Sequence, residues 1–335
     1  MEKKGAQQMK KRMIALVIAA SILFVGIIFQ AVGLFMTENF TQSTTSMLGV
    51  NEPAEKVVEN GDLTNRIAMI DVDGTIMNTA ASPFGGAGYQ HEQFLEELET
   101  IKEDASIKGV LLNVNSPGGG VYESAEIHDK LLEIKEADKS LYVSMGSMAA
   151  SGGYYIAAPA DQIYASKETL TGSLGVIMQS VNYQELADKF GIKYNTFKSG
   201  EFKDIMNPMR EMTKEEKAIM QEMVDESYEQ FVQIISEGRD MPKGEVKRLA
   251  DGRIYSGQQA VENGLVDEIG FQEDALLALK EEIGGNPQII EYDAGFGTLF
   301  GMPLAENILP NSEARMVEQL LKNRQGPKLM YMYTE

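Results

Sequence analysis

Residues 109–135 read GVLLNVNSPGGGVYESAEIHDKLLEIK. The first six, 109–114, are an apolar run of strand length, and 121–135 carry apolar residues at helical spacing. Asn115-Ser116-Pro117-Gly118-Gly119-Gly120 joins the two. A buried strand, a glycine-rich turn and an amphipathic helix in that order make half of a βαβ unit. The same rhythm continues outward. Before it stand a strand at 67–72 and a helix at 93–102, with Phe94, Leu95, Leu98 and Ile101 on one face. After it come a strand at 141–144, a glycine-rich turn at 146–153, a helical stretch at 153–158 and a strand at 162–165. This alternation predicts an α/β domain with a largely parallel sheet and packed helices. In such sheets functional sites lie beyond the carboxyl ends of the strands. Further on, 213–239 reads as one long amphipathic helix opened by a Thr213–Glu216 capping box.

Composition narrows the chemistry. Of 335 residues 43% are hydrophobic and 24% charged, a globular balance that excludes a largely disordered chain. Thirty basic against fifty acidic residues give a net charge of −20, which excludes nucleic acid as a partner, because phosphate binding needs a basic face. Cysteine is absent, which removes a thiol nucleophile, a disulfide frame and a thiolate metal site. The two histidines, His91 and His128, are too few for a multi-histidine metal centre. Neither metal nor cofactor is expected.

The amino terminus is set apart by charge. Residues 1–12 hold Lys3, Lys4, Lys10, Lys11 and Arg12 against Glu2, and 13–36 carry no charge. As a helix the latter would span about 36 Å at about 1.5 Å per residue, enough for a bilayer core of about 30 Å. Bulky Val32-Gly33-Leu34-Phe35-Met36 offers no small-residue cleavage site, so an uncleaved transmembrane anchor is expected. The basic flank places residues 1–12 in the cytoplasm and the remainder outside. Polar residues 37–65 read as a tether.

Ser151 is the candidate nucleophile. In Met148-Ala149-Ala150-Ser151-Gly152-Gly153 it follows a strand and a tight turn, and small neighbours leave its hydroxyl approachable. The amide of Gly152 and a second one from the 118–120 glycine run are placed to stabilise an oxyanion. A serine needs a base. His91 lies before a helix and His128 inside one, and each reads as a surface or helix-packing residue. A lysine freed of its proton by burial is the alternative. Residues 197–204, Phe-Lys-Ser-Gly-Glu-Phe-Lys-Asp, offer Lys198 and Lys203, and composition does not choose between them.

The runs Asn115–Gly120, Ala150–Tyr155, Thr169–Val176 (TLTGSLGV), Lys198–Asp204, Arg253–Ala260 and Gly264–Asp267 together resemble the signal peptide peptidase A family. These are Ser/Lys peptidases with a Clp-protease/crotonase-like fold. The resemblance covers about 66–275, taken as the peptidase domain, with 276–335 as a C-terminal helical segment and tail. It implies Ser151 as nucleophile, Lys203 as general base, Ser173 as the residue orienting the lysine, and Gly118 and Gly152 as the oxyanion hole. It also implies remnant signal peptides as substrates. For this short, single-copy form it implies a homo-oligomer in which serine and lysine meet across a protomer boundary.

Other readings compete. Asp71-Val72-Asp73-Gly74-Thr75 imitates a phosphatase opening motif, but lacks a later acidic pair and reads as a strand ending in an acidic turn. A crotonase-like acyl-transfer enzyme would share the fold, and a non-catalytic membrane scaffold would explain the anchor. The apolar tail 328–335 after Gly326-Pro327 reads as a packed or unstructured terminus; alternatively, it reaches an active site of its own oligomer.

Overall fold

The structure is a computed structural model that describes residues 54–78, 89–293 and 329–332. The basic segment 1–12, the apolar segment 13–36 and most of the tether lie outside the described residues. Among the described residues no helix is long and apolar enough to cross a membrane.

The strands are β1 (Ala54–Glu59), β2 (Asp62–Asp73), β3 (Ile107–Ser116), β4 (Gly118–Gly120), β5 (Ser140–Ala150), β6 (Gln162–Ala165), β7 (Leu170–Gly172), β8 (Ile254–Ser256), β9 (Glu268–Ile269), β10 (Pro287–Asp293) and β11 (Met330–Met332). The helices are α1 (His91–Glu103), α2 (Val121–Glu136), α3 (Gly152–Ala157), α4 (Gln184–Lys189), α5 (Lys214–Gly238), α6 (Lys243–Leu249), α7 (Gly257–Glu262) and α8 (Gln272–Ile283), with a 3₁₀ turn at Glu201–Asp204.

Among the described residues one nine-stranded sheet runs β1-β10-β2-β3-β5-β6-β9, with β7 and β8 branching from β5. The β1–β10 and β7–β8 pairs are antiparallel and the others parallel. The α/β expectation holds, in a mixed and mostly parallel sheet. The sheet runs past both expected boundaries, 66 and 275: β1 and β10 lie outside them, and β2 begins at Asp62. All the described side chains of β1 are exposed, so it has no apolar alternation to read.

Period-two alternation divides β2 between two layers. Ala68, Ile70 and Val72 join α1, α2 and α5 in the main core, while Ile67 and Met69 face Leu279 of α8 in a smaller one. The third strand is longer than the expected 141–144. Val114 pairs Met145 but Ser116 pairs Ala149, so β5 bulges through Gly146-Ser147-Met148 and continues to Ala150. Beyond the bulge its partner changes from β6 to β7. That change of partner brings Ser151 out at the sheet's carboxyl edge. The capping box of α5 forms as expected: Glu216 N–H donates to Thr213 Oγ1 at 3.1 Å and Thr213 N–H to Glu216 Oε2 at 2.9 Å.

Candidate active site

Ser151 occupies the corner between β5 and α3 with φ +55° and ψ −114°, a left-handed conformation that side chains other than glycine seldom adopt. Holding it there costs about 1–3 kcal/mol. Two backbone bonds fix the corner: Ser151 N–H donates to Gly172 C=O at 2.8 Å, and Tyr155 N–H to Ser151 C=O at 2.9 Å. Thr171 Oγ1 donates to Ala149 C=O at 2.6 Å, fastening β7 to the end of β5. The serine is 1% exposed, and its Oγ makes no hydrogen bond among the described residues.

The glycine strand β4 borders this corner. On one edge Gly118 C=O accepts from Ile76 N–H at 2.9 Å and Gly120 N–H donates to Ile76 C=O at 2.8 Å. On the other lies β11, the chain's own tail, paired antiparallel with Tyr331 opposite Gly119. The tail's far edge is held too, since Met330 exchanges both backbone bonds with Ile177 at 3.0 Å each. The tail therefore packs as the middle strand of a small sheet. Its described residues, 329–332, are packed, and the groove they fill is the one beside Ser151.

Strand parity decides which amide faces the tail. Val121 N–H donates to Leu329 C=O at 3.3 Å. Hydrogen-bonded and non-bonded pairs alternate along an antiparallel ladder, so Gly119 and Tyr331 form the next bonded pair. Gly118, the expected oxyanion donor, faces elsewhere: its N–H donates to Ser116 Oγ at 3.0 Å. The amide turned toward the Tyr331 carbonyl is that of Gly119, which lies in the 118–120 run named from the sequence but is not the glycine the family resemblance singled out; the parity of the ladder selects it. Gly118 has another necessity. Its φ is +97°, and a Cβ there would overlap the Tyr331 carbonyl oxygen and lie 2.6 Å from the Gly152 nitrogen. The Tyr331 carbonyl oxygen and the nitrogen of Gly152, the residue after Ser151, thus both lie close against Gly118.

The Tyr331 side chain is fully buried. It stacks on Tyr155 and lies tilted against Phe231, each with ring centroids 4.7 Å away, and its hydroxyl donates to Ser227 C=O at 3.0 Å. Burial raises the Tyr331 and Tyr155 phenols, Tyr155 to about 12, so both stay neutral donors. His128 packs edge-on against Tyr155 at 5.5 Å, and burial lowers its pKa. His91 bonds Tyr89 at 2.6 Å and Glu126 at 2.9 Å. Both histidines are buried and belong to helix packing.

Ser173 also has positive φ, +50°, and its N–H donates to Arg253 C=O at 2.7 Å. It lines a cavity of about 480 Å³ with Ile177, Tyr228, Asp225, Asp251 and Met332. Lys203 is not brought into this assembly within the chain. It sits on the exposed 3₁₀ turn and makes no hydrogen bond to Ser151 or Ser173. Lys198 is engaged otherwise, donating to Asp204 Oδ1 and Glu201 C=O at 2.6 Å each. Among the described residues no group of three or more His, Cys, Asp or Glu side chains could hold a metal ion.

Comparison with known proteins agrees with a peptidase site. The model of peptidase family S49 matches residues 133–285. A protein of Enterococcus faecium described as "Putative signal peptide peptidase SppA" is 41% identical over 339 residues, covering 97% of this chain and 98% of that protein. "Protease 4" of Haemophilus influenzae is 30% identical over 267 residues, 79% of this chain and 43% of the longer relative. Among solved structures, a mutant ClpP1 from Listeria monocytogenes aligns with a TM-score of 0.38 and 17% identity, over 62% of this chain and 94% of that one. With the Enterococcus faecium protein 41% identical along nearly the whole of both chains, the chain belongs to peptidase family S49 and is a serine peptidase.

Proposed function

We propose that this peptidase uses Ser151 as nucleophile and Lys203 of a neighbouring copy as general base, in a Clp-protease/crotonase-like fold, to degrade remnant signal peptides at a membrane. The observation that carries the reading is the strained, buried Ser151 with a peptide strand of the chain itself laid along β4 beside it. A substrate would add to the same strand edge, gaining main-chain hydrogen bonds whatever its sequence. Ser151 Oγ attacks the carbonyl in the position of Tyr331, and the lysine amine takes its proton. The amides of Gly119 and Gly152 stabilise the oxyanion. The lysine then protonates the leaving amine, and water releases the acyl group. Ser173 orients the lysine.

Lys203 is exposed and makes no hydrogen bond to Ser151 or Ser173 within the chain, which supports a shared site. Between Val181 and Phe202 eight large apolar side chains are exposed, Phe197 at 98%. An arm of this kind is stabilised by packing on another copy. The cavity beside Ser173 has room for a lysine side chain. Residues 13–36 would anchor the assembly, with residues 1–12 cytoplasmic and the peptidase domain extracytoplasmic.

Ser151→Ala and Lys203→Ala are each expected to abolish peptide cleavage. Lys203→Arg is expected to be as inactive as Lys203→Ala, because a guanidinium does not give up its proton. Co-assembly of the two alanine variants restores cleavage, since some interfaces then pair an intact serine with an intact lysine. Full activity in Ser151→Ala, or no recovery on co-assembly, refutes the corresponding part.

A further inference from the structure

Lys203 is followed directly by an acid, Asp204, and a carboxylate beside a general-base amine favours its charged, idle form. The structure shows what is done with that carboxylate. Arg210 Nε donates to Asp204 Oδ2 at 2.9 Å and its Nη2 to Asp204 Oδ1 at 2.8 Å, a two-pronged pair. The same Nη2 reaches the Asp204 backbone carbonyl at 3.0 Å. The other side of the guanidinium meets Glu216: Nη1 donates to Oε2 at 2.7 Å and Nη2 pairs with Oε1. Glu216 is also the carboxylate of the α5 capping box. Lys198 adds a second cation on Asp204 Oδ1. The Asp204 side chain is 13% exposed and that of Glu216 2%, so solvent does little of this work. The cations hold the Asp204 carboxyl well below the ordinary carboxylate range, with Arg210 the leading cause and Lys198 next.

We propose that Arg210 is a positioning residue for the peptidase reaction: it ties the Lys203 turn to the first turn of α5 and neutralises the carboxylate next to the base. The inference rests on Lys203 being that base. A planar fork suits the task, because one guanidinium spans two carboxylates where an ammonium is a single point of charge. The charged groups on and against the Lys203 turn are Lys198, Glu201, Asp204, Arg210, Glu211 and Glu216. The cleft it would enter adds Asp225 and Asp251, the latter paired with Arg253 at 2.5 Å.

The test is the pH dependence of kcat/KM for the full chain in detergent, using an internally quenched peptide carrying Leu-Met-Tyr-Met. Arg210→Gln, which leaves Lys198 as the remaining cation on Asp204, is expected to move the midpoint of the rising limb to higher pH by about half a unit to one unit, the scale for partly uncovering a neighbouring charge. Arg210→Lys keeps the wild-type midpoint with a lower plateau. Asp204→Asn combined with Arg210→Gln returns the midpoint to the wild-type value. An Arg210→Gln enzyme slowed equally at every pH, or a double variant whose midpoint stays where Arg210→Gln put it, overturns the proposal. If Arg210→Gln does not assemble, Asp204→Asn alone carries the test: its midpoint stays at or below wild type, and a rise overturns the proposal. Activity in Lys203→Ala would refute the underlying base assignment instead, so the two failures are told apart.

Discussion

Tyr331 stacks on Tyr155 with ring centroids 4.7 Å apart, and this contact seats the chain's own tail in the groove beside Ser151. The tail is held on both edges, by β4 and by Ile177, and by a fully buried aromatic side chain. A tethered strand competes with a free peptide at high effective concentration. Tyr331→Ala removes a well-packed aromatic, a change of about 3–5 kcal/mol in a protein core. KM for an external peptide should then fall at least about fivefold, with kcat little changed. Equal KM values for the wild type and the variant, measured by steady-state kinetics, would show the tail out of the groove in solution.

The pocket that takes Tyr331 ends in the Ser227 carbonyl, which accepts its hydroxyl at 3.0 Å. A peptide with tyrosine before the cleaved bond should be preferred over phenylalanine by about 2–10-fold in kcat/KM, the usual worth of one neutral hydrogen bond. Alanine should fare much worse than either, having no ring to place between Tyr155 and Phe231. A peptide series varied at that single position measures it. Equal rates for tyrosine and phenylalanine would count against the hydroxyl contact.

Gly118 combines positive φ with close approach to the Gly152 amide. Gly118→Ala meets both obstacles, so β4 must shift and the facing Gly119 amide with it. A loss of about 10²–10³ in kcat is expected, the scale for one oxyanion donor. Thermal unfolding measured alongside should show a folded protein. Near-normal kcat in a folded Gly118→Ala variant would contradict this placement.

Glu97 is a buried carboxylate on α1 whose pKa is raised to about 7, chiefly by burial, although Gln93 donates to it at 3.0 Å. A carboxyl raised in the folded state binds its proton more tightly there than when unfolded. Its contribution is therefore fully present below about pH 4.3, the ordinary glutamate value, and is lost as pH rises through 7. The penalty at pH 8 is of order 3 kcal/mol, from about 1.36 kcal/mol per unit. Glu97→Gln should raise Tm at pH 8 by several degrees and change it little at pH 4.5. Parallel Tm-versus-pH curves for the two proteins would remove Glu97 as the cause.

Much of the main sheet was legible because its inner strands are short apolar runs closed by glycine turns. The expected 162–165 strand coincides with β6, and 109–114 lies within β3. The polar edge strand β1 gave no such signal. The extension of β5 also escaped, since Gly146 reads equally as a turn or as a bulge. The Ser151 corner was visible in its small flanking residues, whereas the identity of the facing amide was not.

The amino-acid sequence by itself determined the strand–helix rhythm, the capping box of α5 and the tight corner at Ser151. Each is encoded within a few consecutive residues, by hydrophobic period, by a hydrogen-bonding side chain at a helix start, or by small residues at a bend. The tertiary structure alone decided that Gly119 rather than Gly118 turns its amide to the bound strand. It alone put Lys203 on an exposed 3₁₀ turn with no hydrogen bond to Ser151, and seated residues 330–332 in the groove. These outcomes depend on which edges pair across some 200 residues of intervening chain. Such pairing follows from strand parity and from the burial of Tyr331, which no local pattern records.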